Sequence, residues 1–574
     1  MSSTNKDDEK LSAAISFLFS VGACHATREF GQVVHVPFSL SPRIISRESF
    51  VHAFKLANPF NLLVDRVARN PEWLLKTLKA AGEADNEFTG KLLDILEHAI
   101  EDGLQAHTSA KRGEMRQKYM LGIHRSDYMI DESSSRLLQI ELNTISSSFG
   151  CLSTQIHTAL HYINKRYEDN HENLEVQISE SLYKIPEAIR AAYDCYVHMN
   201  SGQQRHQQQS MSSVSSSSSS LSSSSLSVSP IILFITQEGE RNIMDQRILE
   251  FHLSSKYNIN CIRATLFEVS KWAKRGSGEN FIKSLKRVTE EEEIIGSITN
   301  TFHDGNDVQK QKEGTLYYKG FEVAVVYFRA GYTPNDYKNH TEEEWAARDV
   351  IECSNAIKCP SIGYHLAGCK KVQQALAAPN VLESFLIDRP NDAALLRSCF
   401  AGLWALDADV SESNDLDDSK GNDKVIADAI SNPYKYVLKP QREGGGNNVY
   451  GTALSDMLKT QNKDVLAAYI LMERIFPKEE QSILVRSGKA ETLDKTVSEL
   501  GVYGVFLGNG SNEDIHSQSN NSSSKEDLSC VKTKRDGVIL NDSAGYLLRT
   551  KPSESDEGGV AAGYAVLDAI AFRK

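Results

Sequence analysis

The distribution of apolar and polar positions predicts alternating strands and helices in the middle of the chain. Compact apolar runs of strand length alternate with charged segments of helical character, in the order 231–236, 240–255, 259–265, 322–328 and 341–354. Strands that alternate with helices are typical of an α/β unit in which helices cover the faces of a sheet. The pattern therefore predicts an α/β domain from about residue 230 to residue 370.

The flanking regions give a sparser pattern, and periodicity is weak at the very start of the chain. Residues 86–106 repeat apolar side chains on one side of a predicted helix, and residues 136–142 have the character of a strand. The C-terminal third contains four further runs that predict short strands, at residues 434–439, 468–475, 497–507 and 545–550.

Three polar segments interrupt the apolar pattern. Residues 203–229 form a Gln- and Ser-rich tract with almost no apolar content, which cannot bury enough surface to offset the entropy lost on ordering. We expect a disordered linker there, because a tolerated surface insertion explains the tract better than a regulatory phosphorylated segment does. Residues 409–423 and 508–536 are also polar and are expected to be exposed loops.

Composition narrows the classes of function. Hydrophobic residues make up 40% of the chain, the formal net charge is -13, and no stretch of about 18 apolar residues occurs. The acidic balance argues against nucleic acid or an anionic membrane as a partner. The nine cysteines are scattered and include no CxxC pair. They therefore predict neither a disulfide framework nor a cysteine-rich zinc site, and they indicate a reducing compartment.

The strongest chemical signal is the segment KPQREGGGNNVY at residues 439–450. Three consecutive glycines let the backbone approach a polyanion closely and direct N–H groups at phosphate oxygens. Lys439 adds a cation at the end of a predicted strand, and Glu443 can hold a metal ion. A flexible turn is the alternative, which the flanking charged and amide side chains disfavour. The GxxxxGK[ST] order of a Walker A loop is absent.

The second signal is the segment QIELNTISSSFG at residues 139–150. Alternate residues of a strand point the same way, so Glu141 and Asn143 project from one face. Their oxygen atoms are hard ligands suited to Mg²⁺. Ser146 and Ser148 could then hydrogen-bond a carboxylate or an amine of a substrate. A polar strand end followed by a turn remains the alternative.

Two weaker signals complete the set. Arg125 could make a forked contact with a carboxylate, although a single Arg is more often a surface charge. Arg549 and Lys551 share one face of a short strand, and the small Gly/Ala stretch at 558–563 could close over a ligand. A packed C-terminal strand with a tight turn is equally compatible with that stretch. No GxSxG or HExxH motif is present, so the residues indicate phosphate chemistry that works by positioning and electrostatics.

Together these four segments resemble the eukaryotic glutathione synthetase family. Four further blocks match in the same order, at residues 237–247, 326–332, 366–374 and 498–505. The resemblance extends from the N-terminal region to the C-terminus and is interrupted mainly by the three polar segments. It implies an α/β (α+β) fold with an ATP-grasp-type catalytic region, a lid and an inserted α/β substrate-binding domain.

The resemblance also implies how the chain is divided. Residues 1–202 and 371–574 would form the catalytic region with its lid, residues 203–229 the linker, and residues 230–370 the substrate-binding domain. Members of the family are typically homodimeric, and we expect a homodimer in the cytoplasm.

The family's functional residues map onto this sequence as follows. Mg²⁺ would be held by Glu141, Asn143 and Glu443. ATP would contact Glu141, Lys370, Lys439, Glu443, Gly444, Gly445, Gly446, Asn447, Asn448, Tyr450, Met472, Glu473, Arg474, Ile475, Glu499, Lys551 and Glu557. γ-Glutamylcysteine would contact Arg125, Ile145, Ser146, Ser147, Ser148, Glu240, Arg241, Asn242, Gln246, Arg329, Ala330, Gly331, Tyr332, Arg549, Val560 and Ala561. Catalytic roles would fall to Lys370, Lys439 and Arg549.

One position departs from the family pattern. Relatives can carry Asp just before the Gly-Gly pair, where this chain has Glu557. The longer side chain puts its contact with ATP in question.

The resemblance implies an ATP-dependent ligase that joins γ-glutamylcysteine to glycine through an acyl phosphate. Two alternatives stay open at the level of sequence. One is the same ligase with β-alanine as the amine, which would make a homoglutathione. The other is a non-catalytic, nucleotide-binding relative, which the intact Glu141, Asn143, Lys439 and Glu443 disfavour.

Overall fold

The structure is a computed structural model that describes residues 3–27, 31–106, 115–167, 174–211, 229–276, 313–407, 416–442, 446–510, 537–560 and 563–573. Four predicted site residues lie outside these ranges: Glu443, Gly444, Gly445 and Ala561. Residues 212–228 of the predicted linker and residues 511–536 of the last polar segment also lie outside them.

Strands and helices alternate in the middle of the described chain, whereas runs of consecutive strands or consecutive helices form much of the rest. The strands are β1 (Cys24–Ala26), β2 (Val33–His35), β3 (Phe38–Ser39), β4 (Arg43–Ile44), β5 (Met120–Ile130), β6 (Leu137–Asn143), β7 (Leu174–Val176), β8 (Ile231–Ile235), β9 (Cys261–Ala264), β10 (Ala273–Arg275), β11 (Leu316–Tyr318), β12 (Phe321–Phe328), β13 (Ile357–Cys359), β14 (Leu403–Ala405), β15 (Tyr436–Pro440), β16 (Tyr469–Glu473), β17 (Glu480–Arg486), β18 (Lys489–Gly508), β19 (Val538–Pro552), β20 (Val566–Asp568) and β21 (Ile570–Arg573). The α-helices are α1 (Ser3–Ser20), α2 (Arg47–Ala68), α3 (Pro71–Ala84), α4 (Lys91–Ala106), α5 (Gly150–Tyr167), α6 (Ser181–Met211), α7 (Ile243–Tyr257), α8 (Leu266–Trp272), α9 (Thr341–Glu352), α10 (Ile362–Ala367), α11 (Lys370–Ala377), α12 (Val381–Phe385), α13 (Pro390–Arg397), α14 (Leu416–Ser431), α15 (Gly451–Thr460) and α16 (Lys463–Leu466).

A seven-stranded sheet organises the N- and C-terminal parts of the chain, in the order β17-β3-β20-β19-β18-β5-β6. Its long strands β5, β6, β18 and β19 pair antiparallel. Side chains of β18 alternate between two cores, because Leu500 and Val502 face the core that contains α2, whereas Tyr503 and Val505 face the core that contains α5 and α6. Further along the second face the apolar pattern gives way to Glu499, which lines a cavity.

A second, three-stranded sheet has the order β14-β16-β15 and is antiparallel. One face packs Leu438 and Leu471 against α14 and α15. The opposite face presents Val437 and Met472 to the same cavity. The cavity therefore lies between two sheets.

The predicted α/β pattern at 230–370 is confirmed in its elements. Strands β8 to β13 form a six-stranded sheet, in which β8, β9, β12 and β13 are parallel. Helices α7 and α9 overlap the two predicted helices, although α7 begins only at Ile243. The exact domain boundaries remain a prediction.

Three helices near the N-terminus and two of the polar segments differ from the expectations. Helices α1, α2 and α3 were not predicted from the weak periodicity there. Helix α6 runs to Met211 and so includes residues 203–211 of the predicted linker. The exposed loop predicted over 409–423 is wrong for residues 416–423, which begin α14. Among the described residues, no helix combines the length and apolar character needed to cross a bilayer.

Candidate active site

One face of the seven-stranded sheet is charged across the four adjacent strands β19, β18, β5 and β6. The cross-strand register pairs Arg125 with Asn143 and Asp127 with Glu141. On the neighbouring strands Glu499 pairs with Arg549. Because directly opposed residues share a face, strand pairing gathers side chains that are far apart in sequence.

Asp127 is the carboxylate that joins this charged face together. Its side chain is fully buried, and its two oxygens accept Arg125 Nε at 2.7 Å and Arg125 Nη2 at 2.9 Å. One of these oxygens also accepts Arg549 Nη2 and Asn143 Nδ2, each at 2.9 Å. A bidentate contact fixes the guanidinium plane as well as its position. Asp127 therefore orients two arginines and the amide of a predicted metal ligand.

Arg549 also donates to Glu499 on the adjacent strand. Burial raises the pKa of Glu499, and this exceeds the opposing effect of the Arg549 charge. Lys551 lies beside this pair and donates to the carbonyl of Asp556 at 2.9 Å. Burial lowers the pKa of Lys551.

Glu141 forms the anionic part of the site next to two lysines. Its carboxylate lies 2.9 Å from Lys370 Nζ, and its side chain is 24% exposed. Burial acts to raise the pKa of Glu141, but the charges of Lys370 and Lys439 outweigh burial and hold this pKa well below its usual range. The ionised carboxylate is thus available to a cation. Lys439 Nζ also donates to the carbonyl of Ile140 at 2.8 Å.

The cavity between the two sheets has a volume of about 530 Å³. Its sheet wall is charged, and its opposite wall is formed by Val437, Met472, Ile475 and other residues of the three-stranded sheet and the segment after β16. A charged wall facing an apolar wall suits a ligand that has a polyanionic part and a flat, apolar part.

The serine segment that follows β6 closes one end of the cavity. Ser146 and Phe149 have positive φ values of 53° and 69°, which L-residues adopt at a cost of roughly 1–2 kcal/mol each. Tyr503 donates its hydroxyl to the carbonyl of Ser148 at 2.5 Å, and Arg329 Nη2 donates to Ser148 Oγ at 2.9 Å. These contacts offset the strain and hold the segment in place.

Asp245 on α7 holds the same segment from the inserted sheet. Its carboxylate accepts the backbone N–H groups of Phe149, Cys151 and Leu152 at 2.9, 3.0 and 3.2 Å. It also lies 3.7 Å from Arg329 Nη2. A carboxylate at the N-terminus of α5 is favoured by the unpaired N–H groups and by the helix dipole.

Two loops meet over the opposite end of the cavity. Glu557 accepts the backbone N–H of Gly446 at 2.6 Å. Asp556 accepts Arg474 Nη2 at 2.8 Å, and Arg474 lies over the ring of Tyr450. Glu557 thus contacts the described end of the glycine segment through a backbone N–H.

Most of the predicted site residues that the structure describes line this one cavity. They are Arg125, Glu141, Asn143, Ile145, Ser146, Ser147, Ser148, Tyr332, Lys370, Lys439, Asn447, Asn448, Tyr450, Met472, Glu473, Arg474, Ile475, Glu499, Arg549, Lys551, Glu557 and Val560. The other predicted site residues that the structure describes do not line the cavity, and they are Glu240, Arg241, Asn242, Gln246, Arg329, Ala330, Gly331 and Gly446.

The residues of the 240–246 segment form a separate polar cluster beside the serine segment. Glu240 accepts the backbone N–H of Asn242 at 2.7 Å and Gln246 Nε2 at 2.8 Å. Arg263 donates to Gln246 Oε1 at 2.7 Å. The buried amide of Asn242 has no hydrogen-bond partner among the described residues, which marks it as a position where a ligand group would be stabilised.

Sequence reasoning missed Asp127, Asp245 and Asp556. For Asp127 a local signal existed, because an acidic residue two positions after Arg125 in an apolar strand needs a buried partner. Asp245 and Asp556 contact residues that lie more than 80 positions away, so no local pattern could reveal them.

A family model described as Eukaryotic glutathione synthase, ATP binding domain, matches residues 9–572. The chain belongs to this family. It is 39% identical over 545 residues to the chloroplastic glutathione synthetase of Solanum lycopersicum, covering 94% of this chain and 78% of that protein. It is 35% identical over 543 residues to the glutathione synthetase of Dictyostelium discoideum, covering 93% of this chain and 91% of that protein.

A solved structure of a glutathione synthetase-like effector from Globodera pallida has a similar fold. The TM-score is 0.62 at 17% identity, and the alignment covers 98% of this chain and 96% of that one. Family membership identifies the chain as an ATP-dependent ligase of the glutathione synthetase type.

Proposed function

We propose that the protein joins γ-glutamylcysteine to glycine, converting ATP to ADP and phosphate and releasing glutathione. The observation that carries this proposal is the grouping of Lys370, Lys439, Glu141 and Arg549 on the wall of one cavity between two sheets. A phosphoryl group in that cavity would meet cations and hard oxygen ligands together, as phosphoryl transfer requires.

The residues present fit Mg²⁺. Glu141 is ionised, and Asn143 donates from its amide nitrogen to Asp127, which leaves its carbonyl oxygen for a cation. One or two carboxylates with substrate phosphates is the usual Mg²⁺ arrangement. Glu443, the third proposed ligand, is assigned from the family resemblance alone. Bound Mg²⁺ would neutralise charge on the ATP phosphates.

The nucleotide would lie with its base against the apolar wall. The N–H groups of Glu473 and Arg474 are already bonded to the carbonyls of Gly402 and Lys435, each at 2.9 Å. Other backbone groups of the 472–475 segment would therefore recognise adenine. Glu499 is proposed to bond the ribose, and Lys551 to lie near the phosphates.

The chain's residues would promote an acyl phosphate route by charge and exclusion of water. Lys370 and Lys439 would offset negative charge on the phosphoryl group as it moves from ATP to the cysteinyl carboxylate. Arg549, oriented by Asp127, would stabilise the acyl phosphate. Glycine's amine then attacks the acyl carbon, phosphate leaves, and the amine proton is released. The loops at 446–450 and 556–560 would exclude water, which would otherwise hydrolyse the intermediate.

γ-Glutamylcysteine would occupy the end of the cavity bounded by the serine segment. Arg125 is proposed to contact a carboxylate of this substrate, with Ser146 and Ser148 donating nearby. The unpartnered amide of Asn242 and the cluster around Glu240 support recognition of the amino-acid end.

ADP release with each amine tests the proposal directly. We expect turnover with ATP, Mg²⁺, γ-glutamylcysteine and glycine, far above turnover with β-alanine. A preference for β-alanine would keep the mechanism and change the product, whereas ATP binding without turnover would overturn the proposal. Glu141→Gln should lower turnover by about 100-fold, the usual effect of removing one preorganised electrostatic contact. The exposed Glu491→Gln is the matched control.

We also propose that the protein is a cytoplasmic homodimer. The described cysteines carry no disulfide, which fits a reducing compartment, and the dimer follows from the family resemblance. Light scattering on the purified chain tests the dimer, since a monomer mass at micromolar concentration would overturn it. Imaging of a fluorescent fusion tests the location, and a plastid signal is the pertinent alternative given the chloroplastic plant relatives.

A further inference from the structure

Three different metal-ligating side chains meet where α4 contacts α9, outside the active-site cavity. His98 Nδ1 lies 2.7 Å from Asp349 Oδ1. Cys353 Sγ lies 3.9 Å from His98 Nδ1 and 3.8 Å from Asp349 Oδ1. All three donor atoms lie within 4.8 Å of one another, and none of the residues lines the cavity described above.

The helices place these side chains together for identifiable reasons. Asp349 and Cys353 are four residues apart, so they share one side of the last turn of α9. The backbone N–H of Cys353 closes that turn by bonding to the carbonyl of Asp349 at 2.9 Å. His98 projects from α4, which packs with Ile351 and Ala347 of α9 in the larger core. The cluster is therefore held by packed helices and not by flexible loops.

We propose that His98, Asp349 and Cys353 bind a divalent transition-metal ion of the Zn²⁺ class. Tetrahedral Zn²⁺, with bonds of about 2.3 Å to sulfur and 2.0–2.1 Å to nitrogen or oxygen, needs donor separations of about 3.3–3.6 Å. The sulfur separations here exceed that range by only a few tenths of an ångström. The His98–Asp349 pair, now 2.7 Å apart, must widen by about 0.6 Å, which exchanges one hydrogen bond for two metal bonds.

The surroundings supply charge balance and a fourth position. A neutral histidine, a thiolate and a carboxylate together neutralise a divalent cation. Cys353 is buried, whereas the side chain of His98 is 56% exposed, so a water molecule can reach the remaining coordination position. Asp102 lies near the cluster but is held by Arg116 at 2.5 Å and Arg275 at 2.9 Å. Arg275 also donates to the carbonyl of Cys353 at 3.0 Å, which fixes the backbone of the ligand.

Metal binding would release the thiol proton to solvent as the metal–sulfur bond forms. Burial and the nearby charge of Asp349 raise the pKa of Cys353 to about 12 in the metal-free protein. The positive charges of Arg275 and Lys358 act in the opposite direction and favour the thiolate, although they also repel a cation.

The site would link two parts of the molecule. His98 belongs to the N-terminal part, whereas Asp349 and Cys353 belong to the α/β unit of parallel strands. A bound ion would cross-connect α4 to α9 without touching the residues that face the nucleotide. We expect it to raise thermal stability and to leave the Mg²⁺-dependent turnover unchanged.

Cobalt titration of the full-length protein tests the site. Co²⁺ reports a thiolate ligand through a near-ultraviolet charge-transfer band that oxygen-only Mg²⁺ sites cannot produce. We expect one equivalent of Co²⁺ to give this band, Zn²⁺ to displace it, and Zn²⁺ to raise the melting temperature. The band should be absent in Cys353→Ser, and affinity should fall by more than about 10-fold in His98→Gln and Asp349→Asn.

Matched controls keep the test decisive. Cys261→Ser alters a partly exposed cysteine outside the cluster, and His161→Gln alters another exposed histidine. Both variants should bind the metal as the unaltered protein does. His98 is exposed, so His98→Gln should remain folded even if Cys353→Ser does not. The absence of a charge-transfer band, or equal affinity in His98→Gln and the unaltered chain, would overturn the proposal.

Discussion

Asp127 is the residue on which the cations of the sheet face depend most. It receives hydrogen bonds from Arg125, Arg549 and Asn143 although its side chain is fully buried. Without it, two guanidinium groups would share a buried region with less compensating charge. A buried ion pair is weak support for stability, but loss of one partner is costly because the other charge stays uncompensated.

We expect Asp127→Asn to affect both stability and activity. The free energy of unfolding should fall by about 3 kcal/mol, since the variant leaves buried arginine charge unbalanced. Turnover should fall more than about 10-fold, because Arg549 and Asn143 lose a common anchor. Urea unfolding and ADP release measure the two effects. Asp464→Asn, an exposed change on α16, is the control, and equal behaviour of the two variants would contradict the role of Asp127.

Asp568 lies away from the cavity, and its titration should make the stability of the fold depend on pH. Burial raises its pKa to about 6, although Arg43 and hydrogen bonds from Thr550, the Ala569 N–H and Ser39 oppose the shift. A carboxyl with a raised folded-state pKa binds its proton more tightly in the folded chain. Its contribution to stability is therefore fully present below about pH 4 and is lost as the pH rises through about 6.

The comparison with Asp568→Asn isolates this group from every other titrating residue. Relative to the variant, the unaltered protein should lose about 3 kcal/mol of unfolding free energy between pH 4 and pH 7, which is roughly two pKa units. Urea unfolding of both proteins at pH 4, 5, 6 and 7 measures the difference. Parallel stability curves across this range would contradict the raised pKa.

At the scale of secondary-structure elements, close approach at Gly501 shapes the site. Gly501 lies on β18 directly opposite Asp127 on β5. A Cβ at this position would lie 2.5 Å from Asp127 Oδ1 and 2.8 Å from Arg125 Cδ. Glycine is needed here because the side chains of Asp127 and Arg125 leave no room for a Cβ atom. The φ angle of Gly501 is not in the left-handed region, so backbone conformation is not the reason.

Gly501→Ala should therefore displace Arg125 and Asp127. Overpacking of this kind costs about 1–3 kcal/mol of unfolding free energy. We also expect a higher KM for γ-glutamylcysteine, because Arg125 moves away from its position in the cavity. Thermal unfolding and steady-state kinetics measure the two effects. Thr492→Ala on the exposed part of the same strand is the control, and an unchanged KM in Gly501→Ala would contradict the proposed substrate contact.

The sequence predicted the short buried strands well and the amphipathic ones less well. Strands β8 and β12 are continuous apolar runs that are buried on both faces, so their limits differ from the predicted ones by one residue. Strand β18 begins at Lys489, eight residues before the predicted start, because its first half is exposed and polar. This first half of β18 is a strand because it pairs with β17, although it lacks an apolar pattern.

The candidate site follows the same logic. Glu141 and Asn143 could be grouped because spacing along one strand places them together. Asp245 could not be associated with the serine segment, since their contact depends on how α7 meets the start of α5. Local spacing thus predicts groupings within an element, whereas groupings between elements require the fold.

At the scale of the whole molecule, Asp245 and Arg329 connect the α/β unit to the serine segment at the end of the cavity. Arg329 follows β12 and contacts the serine segment through Ser148 Oγ, and Asp245 holds the start of α5. The serine segment bounds the end of the cavity proposed for γ-glutamylcysteine, whereas the nucleotide is proposed to contact the three-stranded sheet at the other wall. The α/β unit should therefore influence one substrate much more than the other.

Asp245→Asn tests this division of roles through two Michaelis constants. The side-chain amide of the variant has a donor group where Asp245 has an acceptor oxygen, so it would face one of the backbone N–H groups donor to donor. The substitution would also remove the negative charge next to Arg329. Loss of such a charge-assisted contact should raise the KM for γ-glutamylcysteine by about 10-fold, equivalent to roughly 1.4 kcal/mol. The KM for ATP should stay within about twofold, because the nucleotide is proposed to contact the three-stranded sheet and not the serine segment that Asp245 holds. Asp494→Asn, an exposed change on β18, is the control. An equal rise in both Michaelis constants would mean that Asp245 supports the fold as a whole, and would contradict a specific role in positioning the substrate segment.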